Sequence, residues 1–101
     1  MPLALSNPQK RYLRGLAHGL KPVLLVGAKG VTAPLVAECD IALEHHELIK
    51  VRFSAEDREL RDEWIADLVE RSQAALVARI GNIAILYRRS REKPLIALPK
   101  A

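Results

Sequence analysis

Apolar positions recur along this chain with two periods, and the switches between them mark seven elements. Ser6-Asn7-Pro8-Gln9 opens the first. Serine is placed to cap a helix, glutamine stands where a capping box needs it, and proline is tolerated in a first turn. The predicted helix runs to about His18, with Gly19 as its stop and Lys21-Pro22 forcing an extended exit. At about 100° per residue, Leu13, Leu16, Ala17 and Leu20 share one arc, the expected core stripe. Lys10, Arg11, Arg14, His18 and Lys21 share another.

Val23-Leu24-Leu25-Val26 is a continuous apolar run bounded by Pro22 and Gly27, which predicts a strand buried on both faces. Gly27-Ala28-Lys29-Gly30 follows as a tight turn. Thr32 then caps a second helix with Pro34 in its first turn; Leu35, Val36, Cys39, Ala42 and Leu43 form its buried side, and it ends near His45 and His46. From Leu48 to Phe53 the pattern alternates, with Ile49, Val51 and Phe53 on one face and Lys50 and Arg52 on a wetter one. A third helix covers about Asp57 to Ser72, apolar along Leu60, Trp64, Ile65, Leu68 and Val69, acidic along Glu59, Asp62, Glu63, Asp67 and Glu70. Two strand-like runs, Ala75 to Ile80 and Ile83 to Arg88, flank Gly81-Asn82, a hairpin signal in which glycine permits a primed turn. The tail from Arg89 reads as an extended segment packed on the domain.

The order α-β-α-β-α-β-β predicts an α/β fold: a mixed four-stranded sheet packed with three helices. The first three strands run parallel under the right-handed crossover rule, and the last is antiparallel. The second and third helices then share one face, and the first helix or the tail must cover the other. With 101 residues, half of them apolar, one domain is expected over 1–101, its core about 6–89 and its tail 90–101.

Charge adds direction to this plan. Met1 to Val31 holds five bases and no acid; Thr32 to Ser72 holds eleven acids against five bases; Gln73 to Ala101 holds six bases and one acid. A fold that joins the two basic ends gives a bipolar molecule suited to an anionic partner, with the acidic helix turned away from it. The single Cys39 excludes an internal disulfide and a multi-cysteine zinc site, and fits a reducing compartment. Neither a secretory signal nor a membrane-spanning run is apparent, so a soluble cytoplasmic monomer without membrane contact is expected.

The glycine turn lies between a strand and a capped helix, where glycine permits close approach of a phosphodiester and the helix start offers amides. Gly27, Ala28, Lys29 and Gly30 are therefore candidate contacts to a nucleic-acid backbone, and the first-helix bases Lys10, Arg11, Arg14, His18 and Lys21 form a candidate phosphate track. Lys50, Arg52 and Arg88 are secondary candidates, with ion pairs to helix acids an equal alternative. Only Tyr12, Phe53, Trp64 and Tyr87 are aromatic; Phe53 and Trp64 read as core and the tyrosines as edge residues, so backbone recognition is favoured over base stacking. No phosphate-loop, dinucleotide or zinc-protease motif is present, adjacent histidines at a helix end diverge, and no catalytic residue, metal ligand or cofactor is assigned.

Leu16-Ala17-His18, Leu20-Lys21-Pro22, the strand into Gly27-Ala28-Lys29-Gly30, the stretch Ala42 to Val51 and the closing Ile80-Gly81-Asn82 to Leu86-Tyr87-Arg88 together resemble the CRM domain, the chloroplast RNA splicing and ribosome maturation domain, in its stand-alone bacterial YhbY-like form. The resemblance spans about Gln9 to Arg88. It implies a fold similar to the C-terminal domain of translation initiation factor three, RNA as partner, and association with precursors of the large ribosomal subunit, with the glycine loop and adjacent basic surface as RNA contacts. Ala28 departs from the small polar residue expected there, which leaves only a backbone role. The expected function is thus a non-enzymatic RNA-binding assembly factor. An adaptor docking on basic ribosomal proteins through the acidic third helix is the alternative, and a small enzyme with a spatially assembled site a distant third.

Overall fold

Each helix starts where a side-chain oxygen takes up an otherwise unpaired amide. In the structure, a computed structural model that describes residues 4–91 and 93–99, Ser6 caps α1 (Asn7–Ala17). Its Oγ accepts the Gln9 N–H at 3.3 Å, and Gln9 Oε1 accepts the Ser6 N–H at 3.0 Å. Thr32 Oγ1 accepts the Leu35 N–H to start α2 (Ala33–His46), and Asp57 Oδ1 accepts the Leu60 N–H to start α3 (Arg58–Ser72). The helix starts legible in the sequence are those observed.

Four strands, β1 (Leu24–Val26), β2 (Leu48–Phe53), β3 (Ala75–Ile80) and β4 (Ile83–Tyr87), form one sheet in the order β1-β2-β4-β3. β1 and β2 are parallel, and β4 is antiparallel to both its neighbours, so the first three strands run one way and β4 the other, as expected. Gly81 takes φ 58° at the hairpin and Asn82 does not turn positive, the pattern of a II′ turn. The hairpin folds β4 back between β2 and β3. Ala84, Ile85, Leu86 and Tyr87 are accordingly all buried, which corrects the expectation of Tyr87 as an edge residue.

Alternation along the strands feeds two cores. Leu35, Cys39 and Leu43 of α2 and Ile65 and Leu68 of α3 pack with Val26, Ile49, Val51, Phe53 and Leu86 on one face. Leu13 and Ala17 of α1 pack with Leu48, Val77, Ile85 and Tyr87 on the other, joined by Ile96 and Leu98 of the tail. First helix and tail therefore share the second face. The tail is strapped down by Glu47, which leaves α2 at φ 62° and is fully buried. Its carboxylate accepts N–H groups from Ser90 at 2.6 Å, Leu95 at 2.6 Å and Ile96 at 2.7 Å. Three charge-assisted bonds offset the cost of taking that carboxylate out of water.

Two parts of the expected core are instead on the surface. Leu25 is 59% exposed and Val23 48%, so β1 is buried on its α2/α3 face alone. α1 packs over β2, β3 and β4 and does not extend as a layer over β1. Leu16, assigned to the α1 core stripe, is also exposed where the end of the helix overhangs this uncovered margin, and Leu20, expected on the same stripe, lies beyond the helix end at Ala17 and is exposed too.

Candidate nucleic-acid interface

The α1 side of the sheet gathers cations because a strand sends alternate side chains to one face. Lys50 and Arg52, two residues apart on β2, lie on that face, opposite Ile49, Val51 and Phe53 in the other core. Lys50 borders a hollow with Arg11, Arg14 and His18 of α1 and with Ile80 and Ile85 of the hairpin. Arg52 borders a second hollow with Lys21, Leu25 and Ser54. The strand register sets Leu25, Arg52, Ile83 and Ile80 in one row across all four strands, with Leu25 and Ile80 more than half exposed. This row is the part of the sheet that α1 leaves open. Sequence reasoning missed its apolar members, since a three-residue edge strand and a strand buried on both sides present the same short apolar run.

None of Lys10, Arg11, Arg14, Lys21, Lys29, Lys50 or Arg52 has a carboxylate within 4.0 Å among the described residues. Lys10 is half-buried one turn before Arg14 and lines neither hollow. Arg88 has a different place. Its guanidinium donates to Asp40 Oδ1 and the Ser72 carbonyl, each at 2.8 Å, and to the Asp40 carbonyl at 3.1 Å, with Glu44 at 3.7 Å. The ion-pair alternative therefore holds for Arg88, which ties α2, α3 and the end of β4 together on the far side of the sheet. Arg79 and Arg71 are likewise engaged, with Asp62 and Asp67.

The glycine loop follows β1 at the carboxyl end of the sheet. The Gly30 N–H donates to the Gly27 carbonyl at 2.9 Å, closing the turn, and Ala28 and Lys29 are exposed at its tip. The two glycines have different reasons to be there. Gly30 has φ 74°, and a Cβ on it would lie 2.9 Å from Trp64 Nε1, so neither the backbone nor the packing accepts a side chain. Gly27 has no positive φ, and a Cβ there would meet nothing within 4 Å. Turn geometry thus requires glycine at Gly30 and not at Gly27. The helix start is also less open than expected, because Pro34 has no N–H and Thr32 consumes that of Leu35.

α3 backs the loop directly: Trp64 lies on Gly30, and Arg71 donates to the Val31 carbonyl at 2.8 Å. The acidic helix is therefore not wholly remote from the loop, as its charge alone suggested, and Arg71 stands between Asp67 and the loop backbone. Trp64 and Phe53 are core, as expected. Burial, then the neighbouring Asp40 charge, pushes the Cys39 thiol up to about 11, which leaves it a packing residue and no nucleophile. Among the described residues no group of three metal-ligating side chains is present, and no helix is long and apolar enough to cross a membrane.

Comparison with known proteins gives a consistent outcome. Residues 5–88 match the model of the CRS1/YhbY (CRM) domain. The chain is 47% identical over 96 residues to an RNA-binding protein of Haemophilus influenzae, covering 95% of this chain and 96% of that one. It is 40% identical over 95 residues to the probable RNA-binding protein YqeI of Bacillus subtilis, covering 94% and 99%. The solution structure of a hypothetical protein from Staphylococcus aureus, described as a candidate RNA-binding protein, matches with a TM-score of 0.81 at 36% identity, covering 95% of this chain and 100% of that one.

Proposed function

Because this chain belongs to the CRS1/YhbY (CRM) domain family, we propose that it is an RNA-binding protein that holds structured RNA by its phosphates along the α1 side of the sheet. The observation that carries this reading is the set of cations there without acidic partners, while Arg71, Arg79 and Arg88 on the opposite side are paired. An unpaired, exposed ammonium or guanidinium is already in water and gives up only counterions on meeting a phosphate. Arg11, Arg14 and His18 on α1 supply one end of the track, Lys50 and Arg52 its middle, and Lys21 its β1 end. Gly27-Ala28-Lys29-Gly30 adds a bare backbone tip with one mobile cation. The open space above Gly27 supports that role, since nothing inside the protein asks for the missing side chain there.

The RNA we assign is ribosomal RNA in a precursor of the large subunit, handled in the cytoplasm by a binding protein without a catalytic role; this assignment rests on family resemblance. Binding to a structured ribosomal RNA fragment, measured across salt concentrations, tests the mechanism. With about five phosphates engaged at the single-strand coefficient of about 0.7 each, log affinity falls against log salt with a slope near −3.5, so a fourfold increase in salt weakens binding about a hundredfold. Salt-insensitive binding, or none in dilute buffer, rejects the reading. The adaptor reading draws on the exposed Glu63 and Asp67 of α3. Charge reversal at those two residues separates the readings: it abolishes docking by an adaptor and spares RNA binding.

A further inference from the structure

Phosphate binding leaves one feature of the α1 side unused. Leu16 near the end of α1, Leu20 in the turn beyond it, Val23 ahead of β1, Leu48 on β2 and Ile96 of the tail enclose a groove of about 430 Å³. Its lining is hydrocarbon apart from two side chains, Lys21 and His46. Leu16, Leu20 and Val23 are each 40% exposed or more, so the groove opens to solvent as a contiguous apolar patch, the kind of surface that marks a binding site. The tail side is fixed: Ile96 is held through its N–H on the buried Glu47, and the Pro99 carbonyl accepts from Gln9 Nε2 at 3.0 Å. The groove therefore exists before any ligand arrives.

We propose that this groove takes the base of one unpaired nucleotide of the bound RNA, with the Lys21 ammonium on a flanking phosphate and the His46 imidazole along the base plane. The proposal rests on the RNA-binding reading above and adds base recognition to it. A nucleotide joins a flat face of low polarity to an anion a few ångströms away, and the groove joins a hydrocarbon slot to a cation without a carboxylate partner among the described residues. An apolar side chain of a protein uses the slot and wastes the cation. Lys21 also borders the hollow that contains Arg52, so a strand lying on the basic track reaches the groove without leaving the surface. Scarcity of aromatic residues, which argues against a stacking platform on the sheet, does not bear on an aliphatic slot of this kind.

The test uses the full chain and three RNA hairpins of one stem sequence: fully paired, with one unpaired uridine, and with an abasic ribose at that position. All three carry nearly the same phosphates. The hairpin with the unpaired base binds about tenfold more tightly than the abasic one, and the double variant Leu20→Asn, Val23→Asn removes that difference while keeping the salt slope on the paired stem. Both positions are exposed, and circular dichroism of the variant checks that it folds. Equal affinity for the base-bearing and abasic hairpins overturns the proposal, as happens if the groove serves a protein side chain. A preference that persists in the double variant overturns it too. Failure to bind any of the three at low salt is instead the failure of the RNA-binding reading.

Discussion

The two faces of the sheet hold their charges differently. On the α2/α3 side, three arginines are structural: Arg88 joins two helices and a strand, Arg79 meets Asp62, and Arg71 meets Asp67 while holding the Val31 carbonyl. On the α1 side, Arg11, Arg14, Lys21, Lys50 and Arg52 have no carboxylate within reach among the described residues. Similar side chains do different work because acids are distributed by element. α1 contains none, and α3 alone contains five. Arg71, Arg79 and Arg88 therefore find acids of α2 and α3 within reach and Arg61 donates to Asn82 Oδ1, whereas the cations beside α1 have no acid of that helix to meet.

The same contrast separates the two glycines of the loop, and there the largest effect is expected. Gly30→Val forces a branched side chain into φ 74° against Trp64, and should cost about 3 kcal/mol or more in urea unfolding. Gly27→Val should cost less than about 1 kcal/mol and act on RNA affinity instead. Equal destabilisation by the two would erase the distinction. Next in size, Arg88→Ala should lower stability by about 2 kcal/mol, since it strips hydrogen-bonded charge from the junction of α2, α3 and β4, and leave the RNA affinity of the folded protein unchanged. Arg52→Ala should do the reverse, with an unchanged unfolding midpoint and RNA binding several-fold weaker. An Arg88 variant that folds normally and loses RNA would move Arg88 to the other side of the comparison.

Glu47→Gln tests the strap that completes the α1 face. An amide offers one acceptor oxygen to three backbone donors and turns its own N–H₂ toward them, so a loss of about 1–2 kcal/mol is expected. Hydrogen exchange should show it first at the Leu95 and Ile96 amides. Protection confined to its wild-type level there would mean that Ile96 and Leu98, packed on the core, hold the tail by themselves. The smallest effect belongs to Lys29→Ala: a salt slope shallower by about 0.7, affinity reduced a few-fold and an unchanged melting temperature.

What could be read in advance was local or periodic. Ser6 and Thr32 announce their helices because a cap is a contact over three residues. Lys50 and Arg52 separate from Ile49, Val51 and Phe53 because strand side chains alternate. The basic identity of α1 and the Gly81 turn were equally legible. Arg88 was legible only as a cation, since its partners Asp40 and Ser72 lie 48 and 16 residues away along the chain.

By itself, then, the sequence determined the seven elements, the two-sided core, the segregation of charge and the glycine turn, all of which follow from spacing and composition within one element. Tertiary structure decided which apolar residues stay in water and which cations stay unpaired. Leu16, Leu20, Val23 and Leu25 carry the same hydrophobicity as their buried neighbours and differ only in lying where an eleven-residue helix leaves β1 uncovered. Burial depends on what another element covers, and that depends on strand order, which put β4 between β2 and β3 and left β1 at the edge.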